Sequence, residues 1–264
     1  MSDVSYLNAK REIDDRALDR SVLRAFTDRL PDEPTILEVG AGTMTMPERL
    51  IEWGVIGSGR WVAVDSHAEA IEAGRTRLCS RPETVETEAI IRLGNVTIDP
   101  VVADVFEYVS DADERFDAVI GSAFFDIVDA ERAVSVFRTV SDLLYAPITY
   151  DGETVFEPDD SEDDLVLERY EHHMREYRQG SPNGAATLSD ALADVLIDQP
   201  SPWRIEPPYT KSEQIVLERL LETIENAVNE AGGDASEWVR RRRAQLAADL
   251  LRYRATNRDL LGRP

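Results

Sequence analysis

Between residues 5 and 30 the apolar positions Ile13, Leu18, Val22, Leu23, Phe26 and Leu30 recur at mixed three- and four-residue spacing, which predicts one or two amphipathic helices. Pro31 and Pro34 end that run. The pattern then changes. Ile36-Leu37-Glu38-Val39 is a short apolar run of the kind that forms a buried strand, and it breaks into Gly40-Ala41-Gly42-Thr43-Met44. Trp61-Val62-Ala63-Val64 ends in Asp65, Val101-Val102-Ala103 ends in Asp104-Val105, and Phe116-Asp117-Ala118-Val119-Ile120 runs into Gly121-Ser122. Between the first two strands Pro47 to Trp53 predicts a crossover helix, and Ser66 to Leu78 predicts the next, with Ser66 as its cap. Strand and helix alternating in this way indicate a parallel sheet with right-handed crossovers. Such sheets bind ligands at the carboxyl ends of their strands, where Gly40, Asp65, Asp104 and Ser122 all fall.

Further along, Leu144 to Phe156 contains a fifth strand, and residues 164–179 form a helix carrying Val166, Tyr170, His173, Met174 and Tyr177 on one face. Gly180-Ser181-Pro182-Asn183-Gly184 closes that helix as a loop placed to gate a pocket. A helix from Ser189 to Ile197, a sixth strand Trp203 to Ile205, a long helix from Ser212 to Asn229, a break at Gly232-Gly233, a helix from Ala235 to Ala248 and a last strand from Leu251 to Thr256 complete the reading.

The Gly-x-Gly turn lets backbone approach a nucleoside, and an acid at the tip of the second strand is placed to accept hydrogen bonds from two ribose hydroxyls. A dinucleotide fingerprint wants a third glycine or alanine at the sixth position, where this chain has Thr45. The acid-x-Gly-x-Gly form at Glu38, Gly40 and Gly42, followed by Asp65, Asp104 and the 116–120 strand, resembles the class I S-adenosylmethionine-dependent methyltransferases over roughly residues 34 to 150. The resemblance departs at Met44, where that family usually has a third glycine.

That resemblance implies an α/β fold: a Rossmann-like, seven-stranded methyltransferase sheet with helices on both faces. One domain spans residues 1–264, with an N-terminal helical lid (1–33), a cofactor-binding core (34–150), a substrate-side helical insertion between strands five and six (157–186) and C-terminal strands and helices (187–264). It implies S-adenosyl-L-methionine as cofactor and methyl transfer to a small-molecule acceptor. Gly40, Ala41 and Gly42 would pass the cofactor, Asp65 and the adjoining Ser66 would meet its ribose end, and Asp104 and Val105 its adenine. Glu38 would organise the loop or meet the methionyl amino group, and Ser122 would border the methyl-transfer position. Tyr6, Lys10 and Arg11 could reach the methionyl carboxylate. His173, Tyr150 and Asp126 are the candidates for a general base. A nicotinamide-dependent oxidoreductase would explain the glycines and Asp65, but not Glu38 or the last strand, and the chain has no evident Tyr-x-x-x-Lys pair. A non-catalytic S-adenosylmethionine-binding protein would explain everything.

Composition changes the picture in one respect. The chain carries 29 basic and 52 acidic residues, a net charge of -23, and its only lysines are Lys10 and Lys211. This looks like salt adaptation of the haloarchaeal kind, and at molar salt the Debye length of about 3 Å leaves net charge no steering role. Arg240 to Arg243 covers all sides of a helix rather than one stripe, so pairing with carboxylates is expected in place of nucleic-acid contact. The acid run from Glu157 to Asp164 has no metal-ligand spacing and reads as a solvated linker. Glu206-Pro207-Pro208-Tyr209 reads as a strand end and turn rather than a catalytic motif. Cys79 is the only cysteine, which excludes an internal disulfide, and no segment has 18 continuous apolar residues. A soluble, cytoplasmic protein without metal is expected, with its oligomeric state left open.

Overall fold

The computed structural model describes residues 3–87, 90–177 and 181–264. Two helices lead, α1 (Asp3–Ala17) and α2 (Arg20–Thr27), the second capped by the Asp19 carboxylate, which accepts from the Ser21 and Val22 N–H groups. Then come β1 (Thr35–Val39), α3 (Thr45–Glu52), β2 (Ser58–Asp65), α4 (Ala68–Cys79), β3 (Thr84–Thr87), β4 (Ile90–Leu93) and β5 (Asn95–Val102). The middle of the chain forms α5 (Val105–Asp111), β6 (Ala118–Ile120), α6 (Ala130–Phe137), β7 (Leu144–Glu157), α7 (Asp163–Tyr177) and α8 (Gly184–Ala191). The rest forms β8 (Asp194–Pro200), β9 (Trp203–Ile205), α9 (Lys211–Glu230), α10 (Ser236–Ala247) and β10 (Arg252–Arg263).

All the described strands join one sheet in the order β3-β4-β5-β2-β1-β6-β7-β10-β8, with β9 paired to β10. The stretch from β5 to β8 supplies the expected seven strands, parallel from β5 through β7, with β10 antiparallel between β7 and β8. Three strands are additional, so the count of seven is corrected to ten. The antiparallel β3 and β4 extend the edge beyond β5, entered through Gly94 at φ 61°. Pairing of β4 stops at Ile98, so Pro100 of β5 lies where no β4 partner needs its missing N–H.

Four further boundaries differ from expectation. The helix predicted from Ser189 to Ile197 is instead the end of α8 followed by β8, because residues 194–200 lie antiparallel along β10 and tertiary pairing overrides a weak helical pattern. The sixth strand of the sheet is therefore β8, and Trp203 to Ile205 is the short β9 on the flank of β10. The last strand continues past Thr256 to Arg263. Ser66 does not cap α4: the N-cap is His67, and the Asp65 carboxylate accepts from its N–H. The expected gating loop begins at Gly180, outside the described residues, as do residues 178 and 179 of the helix before it.

The sheet separates two apolar layers. On β1, Ile36 belongs to the layer that holds Phe26, Trp61, Tyr145, Leu217 and Trp238, while its neighbour Leu37 belongs to the layer of Val62, Phe125, Phe137 and Leu188, as the period of two requires. Glu38 shares the face of Ile36. Asp259 on β10, fully buried, accepts from the Ile148 and Asp19 N–H groups at 2.9 Å each, joining the end of the sheet to the entry of α2.

The acid run after β7 is more than a solvated linker. Arg241 holds Asp160 and Glu162, and the fully buried Arg242 binds Asp163 and the Pro158 carbonyl between the Phe156 and Trp238 rings. Arg240 pairs with Glu237, and Arg243 with Glu218 and Glu225, so the basic run is consumed by carboxylates and backbone of the protein itself. The Arg241 guanidinium holds Asp160 well below the usual carboxylate range, at about 2. Tyr209 donates its hydroxyl to the Leu251 carbonyl, a structural use of the Pro-Pro-Tyr segment.

Candidate functional site

The loop after β1 turns on positive backbone angles, φ 62° at Gly40 and 53° at Gly42. A Cβ on Gly40 would stand 2.6 Å from the Phe124 ring, so the angle and the close approach both demand glycine. Met44 is the exception: it adopts φ 54° as the N-cap of α3 and is fully buried. A left-handed non-glycine residue costs roughly 1–2 kcal/mol. Deleting a buried methionine side chain costs about 2–5 kcal/mol, so packing outweighs the strain at the position where the resemblance leads one to expect glycine. The loop is closed from behind by Gly74 of α4, where a Cβ would meet the Thr43 carbonyl oxygen at 2.4 Å.

Asp65 fastens this loop to the second strand. Its Oδ2 accepts from Gly42 N–H at 2.7 Å, and Oδ1 accepts from His67 N–H at 2.8 Å with the His67 ring 3.0 Å away. Ala41 N–H donates to the Val64 carbonyl at 3.0 Å, and Ala103 N–H to the Asp65 carbonyl at 3.1 Å. The tips of β1, β2 and β5 are thus stitched at one place.

Beside the loop lies a cavity of about 480 Å³. It is lined by Glu38, Gly40, Ala41 and Gly42 and by Asp65, His67 and Glu69. Tyr6, Lys10 and Asp14 of α1, Arg49 of α3, Ser122 to Phe124 after β6, Tyr170 of α7, and Arg219 with Thr223 of α9 form the rest of its wall. Several buried acids here are held toward neutrality. Burial raises Glu38 to about 8, opposed by the hydrogen bond from Trp61 Nε1 at 2.8 Å, so its carboxyl stays protonated at neutral pH. Burial also raises Asp14, although Lys10 and Arg49 pull the other way and Trp203 Nε1 donates to it at 3.1 Å. The Tyr6 phenol is pushed well above its usual range by burial, by Asp14 and by Asp126, with Arg219 partly offsetting them. Arg49 is 1% exposed and donates to Asp15, yet its Nη2 has no hydrogen-bond partner among the described residues.

Of the expected cofactor residues, Glu38, Gly40, Ala41, Gly42, Asp65 and Ser122 line this one cavity. Ser66, Asp104 and Val105 do not: Asp104 caps α5 by accepting from the Phe106 and Glu107 N–H groups, and Val105 is buried beneath it. Tyr6 and Lys10 line the cavity, whereas Arg11 is turned to Glu48 and Glu52. The three candidate bases separate. His173 is 3% exposed, with Nε2 2.7 Å from Glu230 at the packing of α7 on α9, outside the cavity wall. The Tyr150 hydroxyl pairs with Thr154 at 2.9 Å, and burial pushes it up to about 12. Asp126 follows Phe124 and Phe125; burial raises it to about 6, and its buried Oδ1 has no hydrogen-bond partner among the described residues.

The sequence reading missed Arg49, His67, Glu69, Arg219 and Thr223. Arg49 and His67 stand within a turn or two of the glycine loop and of Asp65, a proximity that could have flagged them. Arg219 is nearly two hundred residues from the loop in sequence and had no local signal.

No protein-family model matches the sequence, and no curated protein matches it. Solved structures do match in shape. A cyclopropane-fatty-acyl-phospholipid synthase-like protein from Lactobacillus casei superposes with a TM-score of 0.50 at 14% identity, over 95% of this chain and 92% of that one. A SAM-dependent methyltransferase from Thiobacillus denitrificans, solved with S-adenosyl-L-homocysteine, gives 0.48 at 14% identity over 94% and 93% of the two chains. A SAM-dependent methyltransferase from Methanosarcina mazei gives 0.46 at 12% over 89% and 94%. The fold is a Rossmann-like α/β fold, shared with the Lactobacillus casei protein. Among the described residues, no helix is long and apolar enough to cross a membrane, and no three His, Cys, Asp or Glu side chains group to hold a metal ion.

The Glu38 carboxyl makes a pH prediction. With its folded value near 8 and an unfolded value near 4.5, it favours the native state fully below pH 4.5, and that contribution is lost as pH rises through about 8. Glu38→Gln keeps the shape without the titration. Its stability relative to wild type, from denaturant melts, is expected to improve steadily between pH 5 and 8; a pH-independent difference would show that Glu38 is already ionised.

Proposed function

We propose that the protein is an S-adenosyl-L-methionine-dependent methyltransferase acting on a small-molecule acceptor. The observation that carries this reading is the Asp65 clamp on Gly42, because it sets a carboxylate at the cavity's edge beside a loop that only glycine can form. The residues fit the cofactor. Asp65, with His67 and Ser66 next to it, would take the ribose hydroxyls, and Gly40 to Gly42 would pass the nucleoside. Asp104 and Val105 adjoin Ala103, which is bonded to Asp65, and would serve the adenine side. Lys10, 3.6 Å from Asp14, and Arg49, whose Nη2 lies 4.0 Å from Asp14 and has no hydrogen-bond partner among the described residues, suit the methionyl carboxylate, and Glu38 its amino group.

The cofactor supplies a methyl group already activated by its positive sulfonium, so the chain mainly has to align the acceptor and exclude water. Ser122 and Phe124 border the place where this happens. Where the acceptor arrives protonated, its proton would go to Asp126 as its nucleophilic atom bonds to the methyl carbon and the sulfur keeps the electrons of the broken bond. Asp126 is preferred over Tyr150 and His173 because its buried Oδ1 has no hydrogen-bond partner among the described residues, although none of the three is among the residues that line the cavity. The same reading takes the enzyme as cytoplasmic and salt-adapted, supported by the net charge of -23 and by arginine serving for nearly every cation.

Thermal unfolding in molar potassium chloride tests the reading. A ligand at 100 times its dissociation constant adds about 2.7 kcal/mol, so S-adenosylmethionine and S-adenosylhomocysteine should each raise the midpoint while NAD leaves it unmoved. A shift with NAD alone, or with none of the three, contradicts it. For Asp126, wild-type transfer to a protonated acceptor should rise with pH through about 6, as the base loses its proton. Asp126→Asn should abolish that rise and lower the rate about 100-fold or more. An unchanged profile in the variant would remove Asp126 from the proton path.

A further inference from the structure

Two non-glycine residues, Ala123 at φ 48° and Ile148 at φ 56°, have left-handed backbone. For a β-branched residue such as Ile148 that conformation is an outlier, so its surroundings must impose it. The register of β7 on β10 shows how. Thr149 lies opposite Arg258 and Ala146 opposite Leu260, which leaves Pro147 and Ile148 together facing the single residue Asp259. This is a β-bulge, and Pro147 suits it because it has no N–H to give to the ladder. Asp259 Oδ1 takes the Ile148 N–H at 2.9 Å, while Oδ2 accepts from the Asp19 N–H at 2.9 Å and from the Tyr145 hydroxyl at 3.3 Å. Asp259 and Ile148 are both buried. Burial raises the Asp259 carboxyl to about 6 against the pull of these hydrogen bonds, so it is ionised at neutral pH.

The bulge reaches the cavity through one peptide unit. The N–H of Ile148 and the carbonyl of Pro147 belong to the same planar trans peptide and point in opposite directions. On one side the N–H is gripped by Asp259; on the other the carbonyl accepts from the Ala123 N–H at 3.0 Å. The Tyr145 carbonyl holds Gly121 N–H in the same way at 3.0 Å. Ala123 lines the cavity between Ser122 and Phe124, and the Phe124 ring lies 2.6 Å from where a Cβ on Gly40 would stand. Asp259 itself does not line the cavity. Without its carboxylate the Ile148 N–H would be a buried donor with no acceptor, and relaxation of Ile148 to an ordinary strand angle would swing the carbonyl on which Ala123 depends.

We infer that Asp259 is a positioning residue for the cavity: by gripping the Ile148 N–H it orients the Pro147–Ile148 peptide, whose carbonyl fixes Ala123 and with it the wall from Ser122 to Phe124. The ligand of that wall rests on the methyltransferase reading, whereas the linkage is a property of the fold. Asparagine cannot replace the carboxylate, because its single accepting oxygen serves one of the two backbone N–H groups and its nitrogen sets a donor against the other.

Asp259→Asn tests this with two readouts. In amide hydrogen exchange of the ligand-free protein, Ala123 should accelerate at least about ten-fold more than Val119, whose N–H donates to the Leu143 carbonyl at 2.9 Å where β6 first meets β7. Equal acceleration of the two amides, or none at Ala123, would overturn the inference. In titration calorimetry with S-adenosylhomocysteine on the folded variant, the Kd should rise about ten-fold. Adding Ala123→Gly, which removes the cost of the left-handed angle, should recover most of that loss. An affinity equal to wild type in Asp259→Asn, or no recovery in the double variant, would also overturn it. Asp259→Glu, which keeps the charge but moves it by one methylene, provides the same readouts where Asp259→Asn does not fold. Failure of S-adenosylhomocysteine to bind wild type would instead remove the methyltransferase reading, and the exchange of Ala123 against Val119 would still decide the linkage.

Discussion

The hydrogen bonds of the Asp65 carboxylate are the constraint on which the site depends. One oxygen takes the Gly42 N–H and the other the His67 N–H, so a single side chain closes the loop after β1 and opens the helix after β2. Backbone bonds from Ala41 to Val64 and from Ala103 to Asp65 carry the same stitching across three strand tips. Because a charged acceptor strengthens each bond, the loop is held in the left-handed conformation that its glycines permit and that Met44 tolerates. Gly74 then lets α4 close on the loop from behind. The cavity is the space left in front of this arrangement.

Charge is handled in two ways. At the surface, carboxylates are gathered by arginines: Arg11, Arg77 and Arg81 converge on Glu48, two of them also on Glu52, which ties the leading helix α1 to α3 and α4. Isolated exposed pairs contribute little, but a shared network with a nearly buried Glu48 keeps α1 over the cavity. Inside, the acids are held toward neutrality, Glu38 at about 8 and Asp126 and Asp259 each at about 6, by burial that no adjacent cation fully offsets.

Much of the core was legible because its signals are local. The run into Gly40-x-Gly42, the acid after β2 and the alternation of strands and crossover helices all follow from short-range sterics and period. The N-terminal helices, α9 and α10 were legible from apolar spacing, as was the pairing of the Arg240 to Arg243 run from its wrap around a helix. The β3 and β4 pair was overlooked although Gly94-Asn95 is a turn signal, since four-residue strands carry too few positions to show a period. The segment 194–200 was misread because its strand conformation comes from β10, some sixty residues away. Tyr170 and His173 share a helical stripe, yet only the fold shows that Tyr170 reaches the cavity while His173 is paired to Glu230. Arg49 and Arg219 enter through tertiary packing of α3 and α9.

The most direct test of the central claim is the affinity for S-adenosylhomocysteine of Asp65→Asn against wild type. The amide oxygen can still accept from Gly42, but the amide nitrogen can accept neither from the His67 N–H nor from a ribose hydroxyl. The account predicts a folded protein whose affinity falls about 100-fold or more, the loss of two hydrogen bonds to a charged group. An affinity equal to wild type would contradict it, and would make Asp65 a fastener of the loop with no part in holding the ligand.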